Sequence, residues 1–358
     1  MRYATIMAGG SGTRLWPMST RHRPKQLLTF IGGKSLLEIA ASRLAGLVPQ
    51  TGIYICTSAH YAEQVQGDMP WLAPRQILGE PTGRDTANAV GFSAAVLSRI
   101  DPDAAMAVLT ADHIITPVDV FQKSLAAGFE LVEKSPEYLV TFGITPTHAA
   151  TGYGYVQKGA AVPGFGRAFN VKTFKEKPDA ATAEKYVASG EYGWNSGMFV
   201  WKVQTILERL KVQLPESYDG LMRIAEAWGT ADYARRLADI YPRLPKISVD
   251  YAIMEKAPHV AMIPMPVDWL DVGNWNSFGA TLPPDENANR AGGCTLAALN
   301  SRNVLAVSEE PHLIGVLGLD GVTVIHTPQA TLVCRSDQAE SIKQLVGWVE
   351  KNVKGDYV

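Results

Sequence analysis

The chain has 358 residues, 46% of them hydrophobic, which suits one large domain with an appendage or two domains. Its 33 basic and 35 acidic side chains give a formal net charge of −2, and neither sign forms a long run. These values exclude the strongly basic surface of a nucleic-acid-binding or membrane-surface protein, although local clusters could still bind small anions.

The first predicted strand, Tyr3–Met7, leads into the glycine-rich stretch MAGGSGTRLWPMSTRHRPKQLL. A turn of this kind exposes backbone N–H groups that can hold phosphate. The stretch does not fit the dinucleotide fingerprint, which needs a third glycine where Leu15 stands. It does not fit a P-loop either, because the first glycine of that motif would fall on Leu28. Taken alone, such a loop is better interpreted as a strand-to-helix turn with solvated arginines.

Short apolar runs typical of buried parallel strands alternate with helical patterns through the next part of the chain. The further strand candidates are Gly52–Thr57, Met106–Leu109, Tyr138–Ile144 and Met198–Trp201. Helices are predicted after a capping box of Ser35 and Glu38, with apolar spacing as far as Leu47, and over residues 86–99 and 119–134. This alternation predicts an α/β sheet with crossover helices.

The pattern changes after residue 280, where the segment TLPPDENANRAGG is typical of a linker. The β-rich runs that follow are Val304–Val307, Leu313–Leu319, Val322–His326 and Thr331–Arg335. Between two of these runs, Asp320-Gly321 predicts a turn of the hairpin type. The C-terminal segment therefore predicts a small β-rich unit.

A terminal helix is predicted after the last β run, with Asp337 and Glu340 as candidate caps. Its apolar stripe consists of Ile342, Leu345, Val346 and Val349. Because so short a unit buries little by itself, we expect the stripe to pack on the β unit, the main domain or a second subunit.

The three cysteines, Cys56, Cys294 and Cys334, are far apart and have no CxxC spacing, so neither a disulfide framework nor a zinc site is expected. The apolar stretch from Tyr3 to Ala8 is too short for the core of a signal peptide, and no stretch reaches the ~18 apolar residues of a membrane span. We therefore expect a cytoplasmic protein.

Eight motifs, in order, resemble those of the sugar nucleotidyltransferases, specifically the bacterial mannose-1-phosphate guanylyltransferases. The motifs are GGSGTRLWP with PKQ, EPTGRDTA, ADH, TGYGY, FKEKP, WNSGMF, SVDY and DVGNW, all between residues 7 and 275. Two positions depart from the family pattern, since Asp85 stands where asparagine is common and Asn274 where serine is common.

The resemblance implies an α/β fold with a Rossmann-like, GT-A-like mixed sheet as the nucleotidyltransferase domain over residues 1–280. It further implies a linker over 281–293 and a small β-rich unit, similar to a left-handed β-helix with a terminal helix, over 294–358. No cupin-type isomerase domain follows in this sequence, so phosphomannose isomerase activity is not expected.

The activity that the resemblance implies is transfer of GMP from GTP to α-D-mannose 1-phosphate, giving GDP-mannose and pyrophosphate, with Mg²⁺ as cofactor. In-line attack of the sugar phosphate on the α-phosphorus needs positioning and positive charge more than a protein nucleophile. The alternatives are a guanylyltransferase for heptose or glucose 1-phosphate, and a non-catalytic regulatory subunit that binds nucleotide sugars. A homodimer is also expected.

The resemblance also assigns the site residues. Arg14 and Lys25 are the predicted catalytic charge clamp, on the leaving pyrophosphate and on the α-phosphate respectively, whereas Arg21 and Arg23 supply supporting field or plain surface charge. The predicted nucleotide-binding residues are Gly9, Gly10, Ser11, Gly12, Thr13, Glu80, Pro81 and Gly83. The predicted sugar-phosphate-binding residues are Gly154, Glu176, Lys177 and Asn195.

Asp112 and Asp271 are the predicted Mg²⁺ ligands, with His113 as a structural neighbour. Asp112 follows a predicted strand, and open α/β sheets bind ligands at the carboxyl ends of their strands. Glu80 is the candidate for recognising guanine, although the same side chain could cap Arg84 or Thr86.

Overall fold

The computed structural model describes residues 1–10, 12–31 and 33–358, which group into two compact units. The first unit comprises Met1–Gly9, Glu38–Ala111 and Ile115–Trp269. The second comprises Gly10–Leu37, Asp112–Ile114 and Leu270–Val358. Each unit is thus assembled from separate stretches of the chain, and the domain division at residues 281–293 stays a prediction.

The strands, in chain order, are β1 (Arg2–Ala8), β2 (Thr29–Ile31), β3 (Lys34–Ser35), β4 (Ile53–Ser58), β5 (Ile77–Glu80), β6 (Ala105–Thr110), β7 (His113–Thr116), β8 (Leu139–Ile144), β9 (Tyr155–Val162), β10 (Phe165–Lys175), β11 (Tyr192–Lys202), β12 (Val260–Pro264), β13 (Asp268–Asp271), β14 (Arg290–Gly292), β15 (Thr295–Leu299), β16 (Leu305–Ser308), β17 (Leu313–Leu317), β18 (Val322–His326) and β19 (Thr331–Arg335). The α-helices are α1 (Leu36–Ser42), α2 (Ala62–Asp68), α3 (Asp85–Ile100), α4 (Val118–Lys134), α5 (Ala180–Ser189), α6 (Val203–Gln213), α7 (Pro215–Glu226), α8 (Tyr233–Ile240), α9 (Trp275–Gly279) and α10 (Ile342–Asn352). None of the helices in the described ranges is long and apolar enough to cross a membrane.

The first unit is built on a mixed sheet, which within the described residues has nine strands in the order β5-β4-β1-β6-β11-β8-β12-β10-β9. Strands β5, β4, β1 and β6 are parallel to one another, as the predicted crossover connections require. Strand β11 is antiparallel to both β6 and β8. The α/β fold with a mixed sheet, expected from the resemblance, is confirmed.

The expected parallel pairing is wrong for β11 and holds on one side of β8, which pairs in parallel with β12. The runs at 138–144 and 198–201 lie in β8 and β11, which pair antiparallel, with Phe199 opposite Thr141 and Val200 opposite Val140. Both strands are buried at most positions, and burial on both faces gives a continuous apolar run in either direction. The apolar pattern therefore indicates burial and not strand direction.

Helix α3 runs through the core of the first unit and is buried from Ala87 to Ser98. It packs against helices α6 and α7, so its inward and outward faces are both covered. Strand β5 ends at Glu80, at the carboxyl edge of the parallel strands, and the helix begins at Asp85. The fold thereby fixes both ends of the loop that carries Pro81 and Gly83.

The second unit holds the glycine-rich loop, which forms short 3-10 turns at Thr13–Leu15 and Lys25–Leu27. Its apolar core includes Leu15 and Trp16 of the loop together with Trp275. Indole hydrogen bonds fix this packing, because Trp275 Nε1 donates to the carbonyl of Trp16 at 2.9 Å. Trp16 Nε1 in turn donates to the carbonyl of Tyr357 at 2.6 Å.

The helix predicted after Ser35 is shorter than its apolar spacing suggested. Ser35 lies in strand β3, directly before the first residue of α1, and α1 ends at Ser42 instead of continuing to Leu47. Beyond α1, Leu47 N–H donates to the carbonyl of Leu44, three residues earlier, which is a turn and not an α-helical bond.

The C-terminal part of the second unit is a stack of parallel strands of the β-helix type. Strand β15 pairs in parallel with β17, and β16 with β18, and partners are 18 residues apart, as in Thr295 with Leu313 and Leu305 with Thr323. The predicted hairpin at Asp320-Gly321 is therefore wrong, because β17 and β18 each pair with an earlier strand. Asp320 instead accepts hydrogen bonds from Arg302 and Asn303 on the preceding rung.

The terminal helix α10 is present, but neither predicted cap binds its first turn. Both acids lie in a 3-10 segment, Ser336–Ser341, that precedes the helix, and no side chain of the described residues caps the first turn of α10. Asp337 pairs with Arg335, and Glu340 binds Arg14 and Asn274. On the predicted stripe Ile342 and Val346 are buried, whereas Leu345 is exposed.

Candidate active site

The glycine-rich loop is folded tightly around Lys25. Gly12 has a φ of 59° and a ψ of 24°, in the left-handed region that favours glycine. A Cβ atom at this position would lie 2.7 Å from Lys25 Cβ and 2.8 Å from Ser19 Oγ, so close approach also requires glycine. Gly10, with a φ of 105°, and Thr13 border this turn, and Ser11 lies outside the described residues. The loop thus fixes the base of the Lys25 side chain.

The Lys25 ammonium lies in a largely buried ion pair. Its Nζ is 2.5 Å from Asp112 Oδ2 and donates to the carbonyl of Val272 at 3.3 Å, and only 13% of the side chain is exposed. Asp112 follows the end of β6, and Val272 follows the end of β13. Three segments that are far apart in the sequence therefore meet at one cation.

Asp112, His113 and Asp271 form a cluster that could hold a divalent cation. One ligand atom from each lies within 4.8 Å of the others. Asp271 Oδ1 is buried and has no hydrogen-bond partner among the described residues, so a carboxylate oxygen is available to a cation. The carboxylate and imidazole donors fit a divalent ion, and the two carboxylates suit Mg²⁺ in particular.

The pKa values of the two carboxyl groups in this cluster are shifted in opposite directions. Burial disfavours the ionised form of Asp112, but the positive charges of Lys25 and His113 outweigh burial and hold its pKa below the ordinary value. Burial, reinforced by the negative charge of Asp112, raises the pKa of Asp271 above its ordinary value, against opposing effects of His113, Lys25 and Arg14. A bound cation would remove this repulsion between the two carboxylates.

The other cations of the glycine-rich loop are paired with acids of the C-terminal segment. Arg14 Nε lies 2.7 Å from Glu340 Oε2, and both side chains are about half exposed. Arg21 pairs with Glu350, and Arg23 pairs with Glu309. The two residues of the predicted charge clamp therefore have different partners: Lys25 pairs with Asp112 of the carboxylate cluster, and Arg14 pairs with Glu340.

Glu80 lies at the end of β5, beside Gly9 and under the loop that precedes α3. Its Oε1 accepts a 2.6 Å hydrogen bond from the hydroxyl of Tyr241, and an ideal Cβ on Gly9 would lie 3.9 Å from its Oε2. Burial raises the pKa of Glu80, while Tyr241 and the backbone N–H of Arg84 act in the opposite direction. Pro81 and Gly83 are exposed next to it. Tyr241 carries no motif, so its role was not predicted.

The predicted sugar-phosphate residues come together in the first unit. The backbone N–H of Asn195 donates to the Gly154 carbonyl at 2.8 Å, and a Cβ atom on Gly154 would clash with Glu176 Oε2. This oxygen is buried and has no hydrogen-bond partner in the described part of the chain. Lys177, exposed and with a φ of 47°, lies with its Nζ 3.5 Å from Glu176 Oε1.

Asp250 belongs to the same group, although no role was predicted for it beyond its place in the SVDY motif. Its Oδ1 accepts a 2.8 Å hydrogen bond from Asn195 Nδ2, while Asn195 Oδ1 accepts from the hydroxyl of Thr141 at 3.0 Å. Both ends of the Asn195 amide are therefore oriented by the protein. Burial and the charge of Glu176 raise the pKa of Asp250 to about 7.

The profile of the nucleotidyl transferase family matches residues 3–286, which include all of these groups except Glu340 and its C-terminal neighbours. The chain belongs to this family. A second profile, the mannoseP isomerase/GMP-like β-helix domain, matches residues 296–348 of the nucleotidyltransferase, in agreement with the stacked parallel strands. The small C-terminal β-helix-like domain expected from the resemblance is confirmed.

Relatives of the nucleotidyltransferase match all or nearly all of its length. A mannose-1-phosphate guanylyltransferase of Klebsiella pneumoniae is 36% identical over 100% of this chain and 76% of its own length. The Xanthan biosynthesis protein XanB of Xanthomonas campestris pv. campestris (strain B100) is 37% identical over 96% of this chain and 72% of its own. A Thermus thermophilus structure, described as a mannose-1-phosphate geranyltransferase, has a TM-score of 0.87 and 32% identity, covering 98% of this chain and 99% of its own.

Proposed function

We propose that this nucleotidyltransferase transfers GMP from GTP to α-D-mannose 1-phosphate and releases pyrophosphate. The observation that carries the proposal is the contact of the Lys25 ammonium with the Asp112 carboxylate, beside the Oδ1 of Asp271, which has no partner among the described residues. A cation and two carboxylates, one of them just after the parallel strand β6, suit a reaction between two polyanions. The activity for which the Klebsiella relative is named, together with its alignment along the whole chain, supports these substrates.

The chemistry is an in-line displacement. An oxygen of the sugar 1-phosphate bonds to the α-phosphorus of GTP, and the bond from that phosphorus to the oxygen bridging to the β-phosphate breaks, so pyrophosphate leaves with its electron pair. The nucleophile is ionised at neutral pH, so the reaction needs charge and orientation from the protein and no general base. Lys25 would stabilise the charge on the α-phosphate, and Arg14 that on the departing pyrophosphate.

Mg²⁺ is the proposed cofactor, held by Asp112 and Asp271. When bound, the ion would neutralise phosphate oxygens and make the α-phosphorus more electrophilic. The protein's own contribution is to keep both carboxylates together despite their repulsion, using Lys25 on Oδ2 of Asp112. Backbone N–H groups of the loop, from Gly9 to Thr13, would hold the remaining phosphate oxygens.

Glu80 is the proposed guanine-recognising residue. Guanine offers N–H donors at N1 and at its exocyclic amine, and a carboxylate accepts from both. Since Oε1 of Glu80 already accepts from Tyr241, Oε2 on the Gly9 side is the acceptor that would meet the base. Pro81 and Gly83, in the exposed loop, would border the nucleotide.

The sugar is proposed to lie against Gly154, where the backbone can be approached closely. Glu176 Oε2, buried and without a partner in the described ranges, would accept from a sugar hydroxyl, and Lys177 would contact the phosphate. Asn195 has its carbonyl oxygen and one N–H committed to Thr141 and Asp250. We therefore infer that Asn195 offers the hexose mainly its second N–H, and not a donor and acceptor equally.

A cytoplasmic homodimer is the proposed state of the protein. The three cysteines are free, which suits a reducing compartment. The β15/β17 sheet exposes Leu313 by 65%, Leu317 by 68% and Leu299 by 63%, with Leu299 and Leu317 directly opposite each other. Clustered apolar exposure of this kind is typical of a protein–protein interface, and a second copy of the chain would cover it.

The direct test is identification of the product. Purified protein would be incubated with Mg²⁺, GTP and one of mannose, glucose or heptose 1-phosphate, and the nucleotide sugars separated by ion-pair chromatography and mass spectrometry. We expect GDP-mannose as the main product. If a different GDP-sugar forms faster, the corresponding sugar 1-phosphate is the substrate instead of mannose 1-phosphate. The absence of any GDP-sugar would contradict guanylyl transfer.

A further inference from the structure

Glu340 joins the loop that carries Arg14 to the loop that follows Asp271. One carboxylate oxygen, Oε2, lies 2.7 Å from Arg14 Nε. The other, Oε1, accepts a 2.5 Å hydrogen bond from Asn274 Nδ2. Asn274 comes three residues after Asp271, so a single C-terminal side chain links the arginine loop with a candidate metal ligand's loop.

Asn274 is a firm anchor for this link. Its Oδ1 accepts from the backbone N–H of Ser277 at 2.9 Å, and Ser277 Oγ accepts from the backbone N–H of Asn274 at 3.1 Å. Ser277 Oγ also accepts from the N–H of Gly273 at 3.0 Å. With both its backbone and its carbonyl oxygen fixed, Asn274 has an Nδ2 of defined direction, and this direction sets the position of Glu340.

The contact with Glu340 uses the inner nitrogen of the guanidinium. A guanidinium has five N–H donors in one plane, one on Nε and four on the two terminal nitrogens. A carboxylate oxygen close to Nε restrains the group at its inner nitrogen, and a guanidinium restrained there can still present its terminal nitrogens, which form bidentate contacts with phosphate. Glu340 can therefore restrain Arg14 and still leave its terminal nitrogens for phosphate.

We propose that Glu340 is a positioning residue for guanylyl transfer, which acts by fixing the Arg14 guanidinium for the departing pyrophosphate. The inference rests on the proposed function, and in particular on the role of Arg14 there. It makes the segment before α10 part of the machinery for transfer, since Glu340 lies in Ser336–Ser341. The substrate phosphates meet Arg14, and Glu340 acts through it.

A matched control is present in the same loop. Arg21 and Glu350 also form an exposed ion pair between the glycine-rich loop and the C-terminal segment, through a terminal nitrogen of the guanidinium. Exposed ion pairs contribute little to stability by themselves. If Glu340 served only to attach the loop, removing Glu350 would have a comparable effect. If Glu340 positions Arg14, only the Glu340 variant would alter the reaction.

The test is a double-mutant cycle on the full chain, with Arg14→Ala, Glu340→Ala, the double variant and Glu350→Ala. For each, kcat and both KM values are measured with GTP and mannose 1-phosphate, together with the melting temperature. We expect Glu340→Ala to lower kcat roughly tenfold, with KM for mannose 1-phosphate nearly unchanged, and Glu350→Ala to resemble wild type. In the Arg14→Ala background, removing Glu340 should cost nothing further.

Each contrary result has a separate meaning. If Glu340→Ala lowers kcat by the same factor with and without Arg14, or if it resembles Glu350→Ala, the positioning role is wrong while the proposed function stands. If Arg14→Ala retains wild-type kcat, the role of Arg14 in the proposed function is wrong as well. If Glu340→Ala has a clearly lower melting temperature than wild type, Glu340→Gln is used in its place. The amide keeps one acceptor, so this variant should have a kcat between those of wild type and Glu340→Ala.

Discussion

At the scale of single residues, Lys25 combines burial with a charged partner. Its ammonium is 2.5 Å from Asp112, and Gly12 and Pro24 determine where its side chain begins. Breaking a largely buried ion pair by removing one partner leaves an uncompensated charge, which is more costly than loss of the contact itself. Removing Lys25 would therefore weaken stabilisation of the charge on the α-phosphate and would also disturb the position of Asp112.

The first prediction is that Lys25→Ala reduces turnover by about 10²–10³-fold, the range seen when one preorganised donor to a developing charge is removed. Turnover is measured as pyrophosphate release at saturating GTP and mannose 1-phosphate. Arg21→Ala is the control, since Arg21 is an exposed cation of the same loop. Near-normal turnover of a folded Lys25→Ala variant would remove Lys25 from the reaction.

Asp250 gives a second prediction, on the pH dependence of stability. Burial and Glu176 raise the pKa of Asp250 to about 7, against opposing effects of Asn195 and Lys177. In the unfolded chain the same carboxyl group has the ordinary pKa of an aspartate, about 3.9. The folded state therefore binds the proton more tightly. Because ionised Asp250 destabilises the fold, its contribution to the free energy of unfolding falls as pH rises from about 4 to about 7 and is constant above that range.

Asp250→Asn should become more stable relative to wild type as pH rises across this window. The slope due to Asp250 itself is at most about 1.4 kcal/mol per pH unit, and titrating groups that do not interact with Asp250 cancel in the comparison. Asparagine retains the acceptor for Asn195 Nδ2, so the hydrogen bond is kept. Denaturant unfolding between about pH 4.5 and about pH 8 measures the difference, and a flat difference would contradict the raised pKa.

At the scale of elements, strand positions were easier to predict than strand partners. The runs Val322–His326 and Thr331–Arg335 coincide with β18 and β19. The 18-residue parallel register of β16 and β18 was not predicted, because a short apolar run carries no information on which strand lies beside it. Likewise, a turn sequence such as Asp320-Gly321 fits the corner of a β-helix as well as a hairpin.

A third prediction belongs to the exposed sheet of β15 and β17. If this face joins two copies, Leu317→Glu should convert a dimer into a monomer, because an exposed carboxylate at an apolar interface remains unpaired. Light scattering after size-exclusion chromatography measures the mass. Val212→Glu, at a residue that is 73% exposed on α6, should leave the mass unchanged. A monomeric wild type, or a Leu317→Glu variant that remains dimeric, would exclude this face as the interface.

At the scale of the whole molecule, the candidate site is assembled from remote parts of the chain. Lys25, Asp112 and Asp271 meet at one cluster, yet periodicity and spacing could not have paired them. Only the family motifs indicated that they belong together. Roles for Asp250 and Tyr241 were not predicted, because these residues act through hydrogen bonds to Asn195 and Glu80. A residue that acts through another side chain leaves no recognisable motif spacing in the sequence.

Family membership is shown by the match over residues 3–286, whereas the roles of individual residues are predictions that kinetics can test. The proposed reaction is guanylyl transfer from GTP to a sugar 1-phosphate with a divalent cation. The most direct measurement is pyrophosphate release from GTP by the purified full chain. We predict rapid release that requires both mannose 1-phosphate and Mg²⁺ and stops when the cation is chelated. Release that needs no sugar phosphate, or no release with any sugar 1-phosphate, would rule out guanylyl transfer to a sugar phosphate.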